Sequence, residues 1–590
     1  MRGSWTDRLA GLAGLLLIAV LQVHRLDDSD TWWHLASGRL IADTGTVVRG
    51  DPFSFTAPEA PWVNRQWLFE LGLYGLWVLG GAAAVALGCG ALYLGAFAAA
   101  WRLAQRRLPA WAAAIVVLLA ALITVERFTA RPEAVTLCLL ATSLLVLDGR
   151  IGWRAVALLV AMQVVWANCH ALSVLGVGVI GLALAGTLVA RWVPLPAGWT
   201  AASRRPPDEE QRLGVALVGS AIAEACTPFG LTGALFPLRL LTVIRGRDVT
   251  SLGIVEHRPT ALAELSPAAA FGLVALVALA ALAAMVSFRR WRLSSLLTAA
   301  TFVALGAMAR RNVALVGLGV LPFVAEGFGP LARRLAAASH RLVPTLNLAM
   351  AVTALVVAGW VVRGTFYQSM RMTRAFGLGE SRLLFSAGAV DWLQANAPEA
   401  RVFNDDLLGG WLLWRAWPQR RVFFDGRLQM YPPAVYEEYE AALADSARFA
   451  ALAERRGIGA VVLHHPAPGR LELAGAIGRM PGWRIAYLDG GAIVLVRDGQ
   501  PTSTVEGVTG PTTAIEATGA AALLETVVAP LRVPVEEAVS RYQRGRALLW
   551  LWGPRVAPLA RADFEAALAL WPGFDAPATG LRSLASVPRP

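Results

Sequence analysis

In this chain of 590 residues, 56% are hydrophobic, only 16% are charged and the mean hydropathy is +0.53, which is too apolar for a water-soluble globular class and marks a polytopic membrane protein. The formal charge of +12 comes from arginine alone, because the sequence contains no lysine, and a compositional bias explains that excess better than a nucleic-acid partner does. Cys89, Cys138, Cys169 and Cys226 stand apart with no CxxC or CxH spacing, which argues against a disulfide framework and a zinc site.

Apolar stretches fall at residues 8–23, 81–101, 109–124, 133–147, 155–168, 171–190, 213–226, 267–288, 293–308, 313–325 and 343–362, so about eleven spans are expected, several shorter than the roughly 20 residues a crossing needs. The first run lacks a small-residue cleavage site and reads as a retained span rather than a signal peptide. Cytoplasmic loops are enriched in positive charge. Arg2 and Arg8, Arg102, Arg106 and Arg107, Arg150 and Arg154, Arg204, Arg205 and Arg212, Arg289, Arg290 and Arg292, and Arg333, Arg334 and Arg341 all fall on one side if the amino terminus is cytoplasmic. Everything after about residue 363 is then expected outside.

On that topology the unusual polar residues gather on the outer face. Asp28, Asp30 and His34 follow the first span. Glu126, Arg127, Arg131 and Glu133 lie between the third and fourth, and Asn168 and His170 between the fifth and sixth. Glu256, His257 and Arg258 follow the seventh, and Arg310, Arg311 and Asn312 join the ninth and tenth. Ionisable groups at that depth are normally paired or line a hydrated cavity. Five loops supplying acids and arginines to one face imply a shared anion-binding pocket, in which a planar guanidinium can take two phosphate oxygens at once. The plainer reading of Arg131, Arg310 and Arg311 is snorkelling to lipid headgroups.

The first outer loop, from about residue 24 to 65, is long enough to be functional. Its pattern predicts two short surface helices, with Trp32, Trp33, Leu35, Leu40 and Ile41 as an interfacial face, a break at Thr44-Gly45, extended Asp51-Pro-Phe-Ser-Phe55, and a second aromatic segment over Gln66 to Tyr74.

After the last span the pattern alternates between strand and helix. A helix near residues 386–397 precedes a strand at Arg401 to Asn404. A second strand is expected at Arg421 to Asp425, a helix near residues 433–456, a strand from Gly459 to His464, a helix near residues 468–479, and strands from Trp483 to Leu488 and Ala492 to Arg497. This reads as a small α/β domain over residues 363–498. Asn404-Asp405-Asp406 and Asp425-Gly426-Arg427 end predicted strands, where ligand residues gather in such folds, although turn and cap roles fit them as well. Residues 499–520 are rich in Thr, Gly and Pro and read as a linker. In the tail, residues 521–590, Tyr542-Gln-Arg-Gly545 followed by Ala560, Phe564, Ala567 and Pro572 is similar to one degenerate tetratricopeptide repeat. A solitary repeat must pack on the preceding domain or serve a protein partner.

Taken together, Asp28-Ser-Asp-Thr-Trp-Trp-His34, Asp51-Pro-Phe-Ser-Phe55, Trp166-Ala-Asn-Cys-His170, Pro228-Phe-Gly230 and Arg310-Arg-Asn312 resemble the GT-C superfamily of integral-membrane glycosyltransferases, and within it a bacterial branch. The family's acidic pair after the first span, some fifteen residues before a glycine, matches Asp30 and Gly45, with Thr31 standing where Glu is common. The resemblance covers about the first 330 residues. It implies a GT-C-like membrane domain over residues 1–362 and a polyprenyl-phosphate-linked sugar as donor. It also implies an envelope glycan, lipid or protein as acceptor, in a bacterial inner membrane. In that chemistry Asp30 is the candidate base, with Asp28 as its alternative or as an orienter. Arg131, Arg310 and Arg311 are candidates for the donor phosphate, and His34, Asn168, His170, Glu256 and His257 for substrate oxygens. Two carboxylates do not define a metal site, so no cofactor is assigned, although a divalent cation is compatible with Asp28 and Asp30. A flippase for a lipid-linked anion and a non-catalytic envelope scaffold are the competing readings. A flippase would place charges deep in spans or show internal repeats, and neither stands out.

Overall fold

The computed structural model describes residues 4–245, 255–338, 341–497 and 533–585. The expected linker at residues 499–520 lies outside them. All eleven apolar stretches are helical. They form α1 (Trp5–Gln22), α3 (Trp67–Gln105), α4 (Ala110–Thr124), α5 (Glu133–Leu147), α6 (Trp153–Cys169), α7 (Val174–Trp192), α9 (Pro207–Ala223), α11 (Pro267–Ser287), α12 (Leu293–Met308), α13 (Val313–Ala338) and α14 (Leu342–Val362). Between them lie α2 (Asp30–Thr44), the short α8 (Ala197–Ser203) and α10 (Gly230–Arg245). Seven of the helical segments are long and apolar enough to cross a membrane, and α5, α6 and α12 are shorter apolar helices. The expected count of eleven exceeds seven because α5, α6 and α12 are too short and because α9 opens with Asp208, Glu209 and Glu210.

Small residues let these helices approach closely. A Cβ on Gly317 would lie 3.1 Å from the Ala120 backbone, and one on Gly327 would lie 2.6 Å from the Ala283 side chain. Helix α13 is thereby the most enclosed of the spans.

The two sets of loop charges separate as the arginine distribution implies. At one end of α5, Asp148 accepts hydrogen bonds from Arg106, Arg107 and Arg292 at 2.6–3.0 Å. At its other end Glu133 pairs with Arg311. A helix of 15 residues separates the clusters by about 22 Å. The predicted cytoplasmic arginines and the predicted outer-face residues therefore lie at opposite ends of the bundle.

Two features of the first outer loop differ from expectation. The second surface helix is the first half of α3, set off by a kink at Gly80 and Gly81, where Gly81 has φ +59° and ψ −150°. The aromatic face of α2 is not an interfacial belt: Trp32, Trp33 and Leu35 are buried, Trp32 against Trp411 and Phe385 at ring-centroid distances of 4.5 and 5.1 Å. The break at Thr44-Gly45 is present, with Gly45 closing α2 at φ +66°.

Those partners belong to the α/β domain. Its helices are α15 (Ala387–Asn396), α16 (Asp406–Ala416), α17 (Pro433–Ala444), α18 (Ser446–Arg456) and α19 (Arg470–Gly478). Its strands β1 (Arg401–Asn404), β2 (Ile458–Leu463), β3 (Trp483–Leu488) and β4 (Ile493–Arg497) are ordered β1-β2-β4-β3. The β1–β2 pair is parallel and the other two pairs are antiparallel. The helix expected over residues 433–456 is broken at Asp445, whose carboxylate caps α18 by accepting from Ala447 N at 2.7 Å.

Arg421 to Asp425 is not a strand of this sheet. Its backbone pairs with the first outer loop, Val422 N donating to Phe53 O and Phe55 N to Val422 O, each at 3.1 Å. The chain just after α14 also returns to residues 23–26, where Arg25 N donates to Ala375 O at 3.0 Å and Leu26 N to Gly379 O at 2.8 Å. The α/β domain is thus stitched to the membrane domain at two places, both on the acidic loop, and one apolar core runs through both.

The tail forms α20 (Val535–Trp552), α21 (Ala557–Leu570) and α22 (Asp575–Ala585). Tyr542 and Phe564 meet across the α20–α21 pair at 5.7 Å. The tail packs on the preceding domain: Glu536 Oε1 accepts from Ser381 Oγ and from Arg382 N at 3.0 and 2.7 Å, and Trp550 lies against Gly475.

Candidate active site

Asp28 opens the site by building the start of α2. Ser29 stands at the N-cap without a side-chain bond, and Asp28 Oδ1 accepts instead from Asp30 N at 2.9 Å. Asp30 is the first residue of the helix, so its carboxylate sits at the electropositive end of the helix dipole. Arg131, delivered by the turn before α5, lies across both acids. Its Nε is 2.7 Å from Asp28 and its Nη2 is 2.9 Å from Asp30.

The surrounding loops extend this ion network. Glu256 lies 2.9 Å from Arg127 and 3.6 Å from Arg131. Arg310 pairs with Glu126 at 3.3 Å. Arg311 lies 3.5 Å from Glu133 and donates to His257 Nε2 at 3.0 Å. Of the ten residues singled out in the sequence, Asp28, Asp30, Arg131, Glu256, His257, Arg310 and Arg311 are therefore drawn into one ion-paired surface.

The other three each have polar atoms engaged by the scaffold. His34 Nδ1 is 3.1 Å from Glu70 Oε1, whose other oxygen accepts from Asn64 at 2.6 Å. Asn168 accepts from Trp67 Nε1 and donates to Val164 O and Cys226 O, each at 2.8 Å. His170 Nδ1 is 2.7 Å from Thr136 Oγ1. These contacts hold the helix ends beneath the loop.

Burial raises the pKa of Asp30, and the neighbouring Asp28 raises it further against the opposing pull of Arg131, to about 7. Burial also pushes Asp28 upward, with Arg131 opposing. Glu256 moves the other way. Although burial alone would raise it, Arg127, Arg131 and Arg311 hold it down at about 2. The site thus sets two carboxyls whose pKa values burial raises beside the Arg131 guanidinium.

Two contributions were not apparent from the sequence. Arg374, beyond the last span, reaches Asp27 at 2.8 Å and Val125 O at 2.7 Å, and with Arg310, Glu126, Glu264 and Arg371 it lines a cleft of about 310 Å³. The second is Gly426. A Cβ there would lie 2.0 Å from Asp30 Oδ1 and 3.1 Å from Trp33 Nε1, so the α/β domain presents bare backbone to the Asp30 carboxylate. That backbone is fixed by the fully buried Arg427, which binds Asp425 at 2.6 Å and Asp51 at 2.8 Å. The sequence singled out Asp51-Pro-Phe-Ser-Phe55 and Asp425-Gly-Arg427 separately, but their pairing is long-range and carries no local signal.

Among the described residues no group of three or more His, Cys, Asp or Glu is assembled for a metal ion. The Arg131 guanidinium lies against both Asp28 and Asp30 in this arrangement.

No family model and no curated protein matches the sequence. Solved structures do match in three dimensions. The apo oligosaccharyltransferase of Archaeoglobus fulgidus superposes with a TM-score of 0.52 at 14% identity, covering 86% of this chain and 75% of that one. The archaeal oligosaccharyltransferase AglB of the same organism, in complex with an inhibitory peptide and a dolichol-phosphate, gives 0.50 at 13% identity and covers 96% and 86%. ArnT from Cupriavidus metallidurans bound to undecaprenyl phosphate gives 0.43 at 15% identity. The chain has the fold of the GT-C membrane glycosyltransferases.

Proposed function

We propose that this protein transfers a sugar from a polyprenyl-phosphate carrier to an envelope glycan, lipid or protein. The observation that carries the reading is the Asp30 carboxylate, poised near neutral pH at the head of α2, beside Arg131 and beneath the Gly426 backbone. An archaeal oligosaccharyltransferase of the same fold is known in complex with a dolichol-phosphate. The arginine distribution supports a cytoplasmic amino terminus and a site on the outer face, and the resemblance implies that the membrane is a bacterial inner membrane.

In the proposed step the acceptor hydroxyl oxygen attacks the anomeric carbon and its proton passes to Asp30. The bond from that carbon to the phosphate oxygen breaks, and polyprenyl phosphate leaves with the electron pair. No covalent sugar–enzyme intermediate is needed, and the anomeric configuration inverts. Asp28 orients Asp30 by fixing its backbone. Arg131 is committed to the two acids, so the phosphate falls to Arg310 and Arg311, each paired at longer range. Preorganised positive charge there stabilises the departing anion.

The test offers the purified protein, in lipid, a panel of polyprenyl-phosphate sugars with candidate acceptors and follows the anomeric configuration of the product. Inversion is expected, and the donor that reacts names the sugar. Retention, or a trapped glycosyl-enzyme, would contradict direct displacement.

A further inference from the structure

The two oxygens of the Asp30 carboxylate have different surroundings. Arg131 Nη2 reaches Oδ2 at 2.9 Å. The other oxygen, Oδ1, is turned toward the α/β domain, where a Cβ on Gly426 would stand 2.0 Å from it, and the indole nitrogen of Trp33 is 3.1 Å from that same point. Trp33 follows Asp30 by three residues on α2, the spacing that brings two side chains onto one helix face. Its side chain is buried, tilted against His34 at a ring-centroid distance of 3.6 Å and edge-on to Trp62 at 6.2 Å. Trp62 is in turn covered by the Arg427 guanidinium at 4.8 Å, so the Trp33 ring belongs to the joint between the two domains. Within this packing the Trp33 N–H is buried and makes no well-formed hydrogen bond among the described residues. A buried indole N–H normally has a partner, and leaving it without one costs stability. The cation of the joint, Arg427, is committed to Asp425 and Asp51, which leaves the indole N–H as the donor beside Oδ1.

We propose that Trp33 is a positioning residue for Asp30, its N–H donating to Oδ1 of the ionised carboxylate while Arg131 holds Oδ2. The inference rests on the role of Asp30 as the base. A carboxylate held by one donor on each oxygen is fixed in rotation, and it keeps further lone pairs for the proton of the acceptor hydroxyl. The bare backbone at Gly426 serves the same contact, since a methyl group there would press on Oδ1 and crowd Nε1. The charged surroundings agree. Burial raises the Asp30 pKa against Arg131, Asp28 adds to the rise, the Trp33 N–H lowers it as a donor to the charged form should, and Glu256 raises it again.

The full-length protein carrying isotope-labelled tryptophan is placed in lipid nanodiscs at alkaline pH, and its indole N–H resonances are recorded. The resonance lost in Trp33→Phe is that of Trp33. It is expected to lie downfield in the wild type and to move upfield in Asp30→Asn by more than any other indole resonance, because a charged acceptor gives way to a neutral one. In transfer assays Trp33→Phe should lower kcat about tenfold with KM for donor and acceptor unchanged, the pattern of an interaction that serves the reacting state rather than binding. A Trp33 resonance that stays in place in Asp30→Asn, or a wild-type kcat in Trp33→Phe, would overturn the positioning role. A resonance that moves while the wild type transfers no sugar would uphold the contact and contradict the glycosyltransferase reading instead.

Discussion

Asp30 carries the chemistry of the proposed reaction, and its raised pKa gives activity a direction with pH. The base form is the carboxylate, so turnover should climb as pH rises through about 7, where Asp30 deprotonates. The stability effect has the opposite sign. A carboxyl whose folded pKa exceeds its unfolded value of about 3.9 binds its proton more tightly when folded. Its contribution is therefore fully present at acid pH and declines between about 4 and 7. A pH–rate profile beside thermal melts over the same range checks both. Arg131→Gln removes the cation shared by Asp28 and Asp30 and should destabilise the fold by about 3–5 kcal/mol, measured by denaturant unfolding in detergent. Gly426→Ala places a methyl group on Asp30 Oδ1. A loss of more than about tenfold in activity, with a modest stability cost of about 1–3 kcal/mol, is expected. Most of the acids and arginines of this network were legible from their common face, but Gly426 was not. In sequence Asp425-Gly426-Arg427 reads as a strand end where ligand residues gather or as a turn, and only the fold reveals that it covers a loop nearly four hundred residues earlier.

Helices were readable from their apolar runs, and so were four of the five expected strands; the fifth, Arg421 to Asp425, is not a strand of the sheet. Val422, Phe423 and Phe424 have the residue types of a buried strand, yet their backbone pairs with residues 53–55, and Asn404 Nδ2 ties Phe424 O to the end of β1 at 2.7 Å. The aromatic face of α2 was misread for a related reason. Tryptophans at a membrane boundary serve equally as a belt or as a docking surface, and composition does not separate the two. Trp32 is packed by Trp411 and Phe385, so Trp411→Ala should cost about 3–5 kcal/mol and expose the 421–427 segment to limited proteolysis. The kink in α3 rests on one backbone conformation that only glycine adopts readily. Gly81→Ala is expected to cost about 1–3 kcal/mol and to reorient the half-helix carrying Glu70, which thermal melts and crosslinking from Tyr74 to Trp414 would register.

For the molecule as a whole, the positive-inside pattern yields a topology in which Asp148 and Asp30 face opposite compartments. Cysteine labelling tests it on a Cys226→Ser background, since Cys226 is the exposed native thiol. Ala263→Cys should react with an impermeant reagent from the periplasmic side, and Arg150→Cys only after permeabilisation. The separation of the two charge clusters to opposite ends of the bundle was legible because charge asymmetry is a local property of each loop. The sequence did not convey that the α/β domain closes over the first loop, because that contact depends on packing between distant segments.

The most direct test of the account is acceptor-dependent release of polyprenyl phosphate in liposomes by wild type and Asp30→Asn, with donor binding measured on both. The account predicts release by the wild type and a loss of about a hundredfold or more in Asp30→Asn, with donor binding retained. Equal release by the two proteins, or saturable donor binding with no release by either, would contradict Asp30 as the catalytic base of a glycosyltransferase.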